Sequence, residues 1–145
     1  MKRLALSFLL IAISYTAIAQ EKSKKIEIPW ENGKLKVSDN KRFLQHENGK
    51  PFFWLGETAW LLPSRSNRDE VDYFMAETRK NGYNVLQIST LHNIPSMNVY
   101  GHWALPNGFD FRNLDKAGEY NYWQHVDYIV ERAQKNGIYV GIVCV

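Results

Sequence analysis

The segment GETAW at residues 56–60 has residue types that could bind a sugar. The Glu57 carboxylate could accept hydrogen bonds from two hydroxyl groups, and the Trp60 indole offers an apolar face to a sugar ring. The preceding run, 52–55, is apolar at every position, which predicts a strand buried on both faces of a parallel sheet. Parallel α/β folds bind ligands at the carboxyl ends of their strands, which is where this segment is expected. Structural roles remain open, since Glu57 could bind a loop backbone or an arginine and Trp60 could pack beside the core.

Further candidates accompany the next predicted strand, 85–89. Gln87 is an amide within an otherwise apolar run, so it either faces a ligand or braces a neighbouring strand. His92 follows the end of this strand, where it could contact a ligand or pack in the loop. The connection 91–121 is long and aperiodic, as functional loops often are, and Tyr100 is one of its several aromatic and amide side chains that suit carbohydrate. The same loop could instead wrap around its own aromatic residues.

The sequence gives no support to several other chemistries. The histidines lack the spacing of a metal site, and His125 is expected on a helix surface. The glycines form no nucleotide-binding motif, and no GxSxG nucleophile motif is present. The formal net charge of +3 comes without a cluster of Lys or Arg, which argues against nucleic acid. We therefore expect no metal, no cofactor and no nucleic-acid partner.

Two stretches offset by 55 positions predict the elements that position these side chains. VDY at 71–73 followed by KNG at 80–82 recurs as VDY at 126–128 followed by KNG at 135–137. Within each copy the apolar residues fall at helical spacing, the glycine suits the left-handed position after a helix, and an apolar run follows. The pattern predicts a helix, a glycine cap and a buried strand, twice over.

The boundaries of these elements can be predicted from their ends. Ser66 or Asn67 can cap the first helix, which is expected to run to about residue 80. Asn67 with Glu70 three residues on has the spacing of a capping box. Asn121 or Tyr122 is expected to open the second helix. The strands that follow are predicted at 85–89 and 139–143.

A β-hairpin is expected ahead of these units. Short strands are predicted at 35–37 and 42–45, and the ENGK sequence at 47–50 is a strong hairpin signal. The order is then β-hairpin followed by β-α-β-α-β, which implies parallel strands joined by right-handed crossovers. The predicted fold class is α/β, as the N-terminal portion of a (β/α)8 barrel.

The chain is expected to be truncated. A complete barrel typically needs ~250 residues, and this chain has 145. Its last residues, 138–145, form an apolar strand with nothing predicted at its outer edge, where the first copy continues into a long loop. The alternative is a small three-stranded α/β domain that ends naturally.

Residues 1–19 have the pattern of a signal peptide: two basic residues, an apolar stretch and a small-x-small cleavage site. We expect export to the periplasm or the extracellular space, with no membrane anchor after cleavage. An uncleaved anchor or a buried helix is the alternative. Residues 20–34 are interpreted as a polar linker and lead-in, and residues 35–145 as the partial (β/α)8 domain.

The sequence resembles the apiosidase-like glycoside hydrolases, a family of secreted bacterial enzymes that includes glycoside hydrolase family 140. The resemblance covers about residues 35–145. Its most specific part is the run HENGKPFFWLGETAW at 46–60, and weaker parts are KNGYNVLQ at 80–87, NVYG at 98–101 and HVDYIV at 125–130. Where this chain has Glu57, family members often have Asp.

The resemblance implies a (β/α)8 barrel that acts on plant cell-wall polysaccharides, notably apiose-bearing pectin. It implies substrate contacts for Glu57, Thr58, Trp60 and Gln87, which match positions at the barrel mouth. It places the catalytic carboxylate pair after later strands, so none of the residues present is assigned a catalytic role. We therefore expect this chain to be an inactive N-terminal portion of a glycoside hydrolase. The alternatives are a non-catalytic carbohydrate-binding or interaction module, and a barrel lyase or isomerase.

Overall fold

The computed structural model describes residues 26–144. The predicted signal peptide, 1–19, lies outside these residues, as does the first part of the predicted linker. Within the described part, six strands form two three-stranded sheets, and the architecture is mixed α/β as predicted. No helix in residues 26–144 is both long and apolar enough to cross a bilayer.

The first sheet is antiparallel and forms the lead-in. Its strands are β1 (Leu35–Val37), β2 (Leu44–His46) and β3 (Pro51–Phe52), paired in the order β1-β2-β3. The hairpin predicted at ENGK therefore connects β2 to β3. Gly49 supplies the positive φ of 86° that this turn requires.

The second sheet is parallel, and helices lie in its crossovers. Its strands are β4 (Gly56–Thr58), β5 (Val85–Ser89) and β6 (Tyr139–Val143), in the order β4-β5-β6. Helices α1 (Leu62–Arg65) and α2 (Arg68–Lys80) connect β4 to β5, and α3 (Tyr122–Lys135) connects β5 to β6. Short 3-10 turns occur at Pro29–Asn32 and Pro106–Gly108. The helix-strand repeat is confirmed, whereas α1 was not predicted.

The predicted parallel strand at 52–55 is wrong. Phe52 belongs to the antiparallel sheet, Phe53 and Trp54 are 78% and 56% exposed, and the first parallel strand is Gly56–Thr58. The reason lies in the hydrogen bonds of this stretch: the Asn84 side-chain amide donates to the Phe53 carbonyl at 2.7 Å, and its oxygen accepts from the Leu55 amide at 2.9 Å. A side chain thus takes the place of a strand ladder at 53–55, and the parallel strand begins at Gly56, within the GETAW segment.

Both long helices begin at asparagine caps. The Asn67 side chain accepts from the Glu70 amide at 2.9 Å, and the Glu70 carboxylate accepts from the Asn67 amide at 2.8 Å, so the predicted capping box is confirmed. Asn121 caps α3 by accepting from the Gln124 amide at 3.0 Å.

The main core lies between the helices and one face of the parallel sheet. Val71 and Met75 of α2 and Ile129 of α3 are fully buried against Leu86 and Ile88 of β5. The buried faces of the helices and of β5 meet on this surface. The opposite face of the sheet carries no helix among residues 26–144.

The segment at the start of the described chain packs at the amino ends of the parallel strands. The Glu27 carbonyl accepts from the Arg79 guanidinium at 3.2 Å, and the Trp30 ring meets the Tyr139 ring edge-on at 5.6 Å between centroids. A Cβ at Gly137 would lie 2.6 Å from the Glu27 carbonyl oxygen. This segment therefore depends on a glycine at position 137.

The two repeated glycines should differ in their tolerance of alanine. Gly82 has φ +85° and Gly137 has φ +68°, so alanine at either position is expected to cost about 1–2 kcal/mol in backbone strain. A Cβ at Gly82 would meet no atom within 4 Å, whereas a Cβ at Gly137 would meet the Glu27 carbonyl. Urea unfolding should show Gly137→Ala to be clearly less stable than Gly82→Ala. Equal losses of stability would contradict the contact with Glu27.

Candidate functional site

The register of the parallel sheet decides which side chains share a face. Thr58 lies level with Gln87, and Gln87 lies level with Gly141 on β6. On β5 the flanking residues Leu86 and Ile88 are completely buried in the helix-side core, whereas Gln87 is exposed. Thr58 and Gln87 therefore stand side by side on the face away from the helices, with a glycine beside them.

A cavity of ≈ 430 Å³ covers this part of the sheet. Glu57, Thr58 and Gln87 line it together with Trp54, so the structure brings three of the predicted site residues to one place. Glu57 lies level with buried Leu86, so its side chain leaves the strand on the opposite face from that of Thr58. Thr58 and Gln87 thus place a hydroxyl and an amide on the floor of the cavity, and half-buried Glu57 borders it along β4.

A second cavity, of ≈ 600 Å³, lies at the carboxyl end of β4. Trp60 and His92 face each other there, with ring centroids 5.9 Å apart and planes inclined by 39°. Arg65 also lines this cavity and was not predicted as a site residue. Thr58 belongs to both cavities, so the two adjoin at the end of β4.

Backbone hydrogen bonds hold the strand ends that shape these cavities. The Ala59 amide donates to the Gln87 carbonyl at 2.9 Å, and the Ser89 amide donates to the Trp60 carbonyl at 3.3 Å. The Thr90 amide donates to the Val143 carbonyl at 2.9 Å. The segment that follows β4 is thus tied to β5, and β5 is tied to β6.

The structure does not bring Tyr100 to these cavities. Its hydroxyl accepts from the Arg68 backbone amide at 2.8 Å, and its ring stacks on Tyr120 with centroids 5.1 Å apart. Tyr100 therefore joins the loop 91–121 to the start of α2, on a different surface of the molecule.

Tyr122 holds the beginning of that loop. Its hydroxyl donates to the Thr90 carbonyl at 2.6 Å and lies 3.1 Å from the Ser96 hydroxyl. Burial raises the pKa of the Tyr122 phenol, so the side chain remains a neutral donor. Thr90 directly follows β5, so Tyr122 fixes the backbone just ahead of His92. The sequence predicted Tyr122 only as a possible first residue of the helix.

The expected surface position of His125 is wrong. The side chain is completely buried, and Nε2 lies 2.8 Å from the Ser66 carbonyl oxygen. Burial lowers the pKa of His125, and the nearby Arg68 charge lowers it further, so the neutral ring donates from Nε2. This contact joins α3 to Ser66, in the connection between α1 and α2, across 59 positions of sequence.

Among the residues that line the two strand-end cavities, Glu57 alone carries a carboxylate. Glycoside hydrolysis generally uses two carboxyl groups, about 5–5.5 Å apart for retention or about 6.5–9.5 Å apart for inversion. These cavities therefore have groups that can bind hydroxyls and stack on a ring, without the pair that cleaves the bond. Residues 26–144 contain no group of three or more His, Cys, Asp or Glu that could hold a metal ion.

This chain is an α/β domain with hydrogen-bonding and aromatic side chains at the ends of its parallel strands, the place where α/β proteins bind ligands. Comparison with known proteins makes the class more specific. The chain belongs to the apiosidase-like family, because the model of the apiosidase-like catalytic domain matches residues 38–145. The resemblance noted from the sequence is thereby confirmed.

Two solved structures are similar to this chain. One, described as a glycoside hydrolase family 5 from Bacteroides vulgatus ATCC 8482, has 52% sequence identity and a TM-score of 0.76 over 83% of this chain and 26% of its own. The other, described as a glycoside hydrolase, has 55% identity and a TM-score of 0.74 over 82% and 27%. This chain thus spans about a quarter of the length of these structures. No match was found among curated proteins.

Proposed function

We propose that this chain is part of a secreted glycoside hydrolase that acts on side chains of plant cell-wall polysaccharides. The observation that carries the proposal is the match of a glycoside hydrolase catalytic domain to residues 38–145. The adjoining cavities at the strand ends support it, since their side chains suit a neutral, hydroxyl-rich ligand. The signal-peptide pattern at 1–19 supports export to the periplasm or the extracellular space.

The parallel strands β4, β5 and β6 form the opening sector of a (β/α)8 barrel in this proposal. Their order follows the sequence, as it does in a barrel, and the similar structures are about three times as long as this chain. Completion of the barrel would bring further strand ends around the face that carries Thr58 and Gln87. The carboxylate pair that protonates and attacks the glycosidic bond would come from those later strands.

The residues of the two strand-end cavities would bind the substrate. Trp60 and His92 offer ring faces to the sugar, while Thr58 and Gln87 exchange hydrogen bonds with its hydroxyls. A purely carbohydrate-binding role for this chain is the second candidate, and the presence of a single carboxylate residue in the two cavities favours it.

Replacement of Trp60 by alanine should weaken the binding of plant cell-wall oligosaccharides to this chain about tenfold, or about 1.4 kcal/mol, because a stacking face is lost. Titration calorimetry on the parent chain and the variant measures this. Trp103→Ala is the matched control, because Trp103 is an exposed tryptophan outside both cavities. The chain alone should release no sugar. Equal affinities of the two variants for the oligosaccharides would refute the binding site. Hydrolysis by this chain would refute the assignment of the catalytic carboxylates to later strands.

A further inference from the structure

A third cavity, of ≈ 560 Å³, lies on the outer surface where α2 and α3 pack together. It shares no lining residue with the two strand-end cavities. Both helices belong to the described chain, and the loop 91–121 adds Tyr100 and Tyr120 to its wall. The cavity is within the size range of small-molecule sites. Nothing in the proposed hydrolase function makes use of it.

The cavity holds a cation whose hydrogen-bonding capacity the protein leaves partly unused. The Arg68 guanidinium carbon lies 4.3 Å from the centroid of the Tyr120 ring and 4.5 Å from that of Tyr128, so two aromatic rings fix its position. Within residues 26–144 no carboxylate forms an ion pair with Arg68, and its buried Nε has no hydrogen-bond partner. Arg68 is therefore a positioned cation without a counter-ion among the described residues.

The second arginine of the cavity is different, because its charge is already compensated. Arg132 Nε lies 2.8 Å from Asp72 Oδ1 in an ion pair without hydrogen-bond geometry, and the Tyr128 hydroxyl donates to the same oxygen at 2.8 Å. The negative charge of Asp72 is thereby balanced by the positive charge of Arg132 within the cavity wall. The charges that remain for a ligand are those of Arg68 and of Asp69, which is exposed at the first turn of α2.

We propose that this cavity binds a sugar acid, that is, a small polyhydroxylated carboxylate. A guanidinium presents paired N–H donors that match a carboxylate, and stacked tyrosines hold it in place without consuming those donors. The Asp69 carboxylate can only accept hydrogen bonds, so it suits the hydroxyl groups of the same ligand and disfavours a simple anion. The site lies on the helical surface, so its occupation does not depend on hydrolysis at the strand ends.

Titration calorimetry with D-glucuronate on the intact chain tests the proposal, with D-glucose and acetate as matched probes. D-Glucose lacks the carboxylate, and acetate lacks the hydroxyls. We expect D-glucuronate to bind with an affinity at least about tenfold higher than either. Absence of D-glucuronate binding, or equal binding of acetate or of D-glucose, would overturn the proposal.

Two variants separate the roles of the charged groups. Arg68→Lys keeps the charge and loses the planar fork, so it should weaken D-glucuronate binding about tenfold. Asp69→Ala should weaken D-glucuronate binding while leaving acetate binding unchanged or stronger, and it does not alter the contacts of Arg68. Asp127→Ala, at an exposed residue of α3 outside the cavity, is the control and should bind both as the parent chain does. Unimpaired D-glucuronate binding in both Arg68→Lys and Asp69→Ala would exclude the site, whatever the behaviour of the strand-end cavities.

Discussion

Replacement of Tyr122 by alanine is expected to lower the free energy of unfolding by about 3–5 kcal/mol, the range for large aromatic residues in cores. Tyr122 is 1% exposed and packs in a cluster with Leu91, Leu105 and Val126. Truncation leaves a cavity among them and also removes the hydroxyl bond to the Thr90 carbonyl. Guanidinium unfolding followed by circular dichroism measures the loss.

Two further tyrosine variants divide this effect into its parts. Tyr122→Phe keeps the ring and removes only the hydroxyl, which leaves the Thr90 carbonyl with one donor fewer, and should cost about 1–3 kcal/mol. Tyr73→Ala is the control for loss of a tyrosine side chain, because Tyr73 is 72% exposed on α2, and its effect should stay within about 0.5 kcal/mol. If Tyr122→Ala and Tyr73→Ala were equally stable, Tyr122 would not be the anchor of the loop.

The second large effect is expected at Met75, for which alanine should cost about 2–5 kcal/mol. Met75 is fully buried between α2 and the parallel sheet, where it belongs to the same cluster as Leu86 and Ile88. Met97→Ala is the matched control, since Met97 is 42% exposed in the loop 91–121 and loses little packing.

The Met75 substitution also tests whether the two faces of the sheet are coupled. Leu86 and Ile88 flank Gln87 on β5, so a relaxed core should disturb the cavity that Gln87 lines. Thermal unfolding by calorimetry measures the stability of the variant, and titration with oligosaccharide measures its binding affinity at the cavity. A Met75→Ala protein as stable as Met97→Ala would show that the main core has been assigned to the wrong face.

The repeated elements could be predicted from the sequence because local interactions determine them. The capping box of Asn67 and Glu70 spans three residues, and Gly82 and Gly137 have the positive φ angles that end a helix. The period of the apolar residues then showed which face of each helix is buried. The strands 85–89 and 139–143 were predicted with the boundaries that the structure shows.

The errors occurred where contacts distant in sequence override local pattern. The aromatic run 52–55 has the composition of a buried strand, yet the side chain of Asn84, about thirty residues away, binds its backbone. A similar contact places Tyr100 on another surface, since its hydroxyl accepts from the Arg68 amide across 32 positions, and its contact with a substrate stays a prediction. His125 lies within a helix, and its burial depends on the Ser66 carbonyl.

The candidate site was predictable only in part for the same reason. Glu57, Thr58 and Gln87 lie on neighbouring strands, so the expected parallel order was sufficient to place them together. The pairing of Trp60 with His92 also follows from the two strand ends being adjacent. Arg65 was missed because it lies on α1, a single turn too short to produce a periodic signal.

The contacts of Glu27 and Trp30 at the amino ends of the parallel strands have a practical consequence for handling the protein. Any affinity handle or fluorescent label joined ahead of residue 26 would emerge on the rim opposite Trp60 and His92. Protein captured on a sensor chip through such a handle would present the rim that carries the two strand-end cavities to the flowing solution. Surface-based assays can therefore use this end of the chain without masking the cavities.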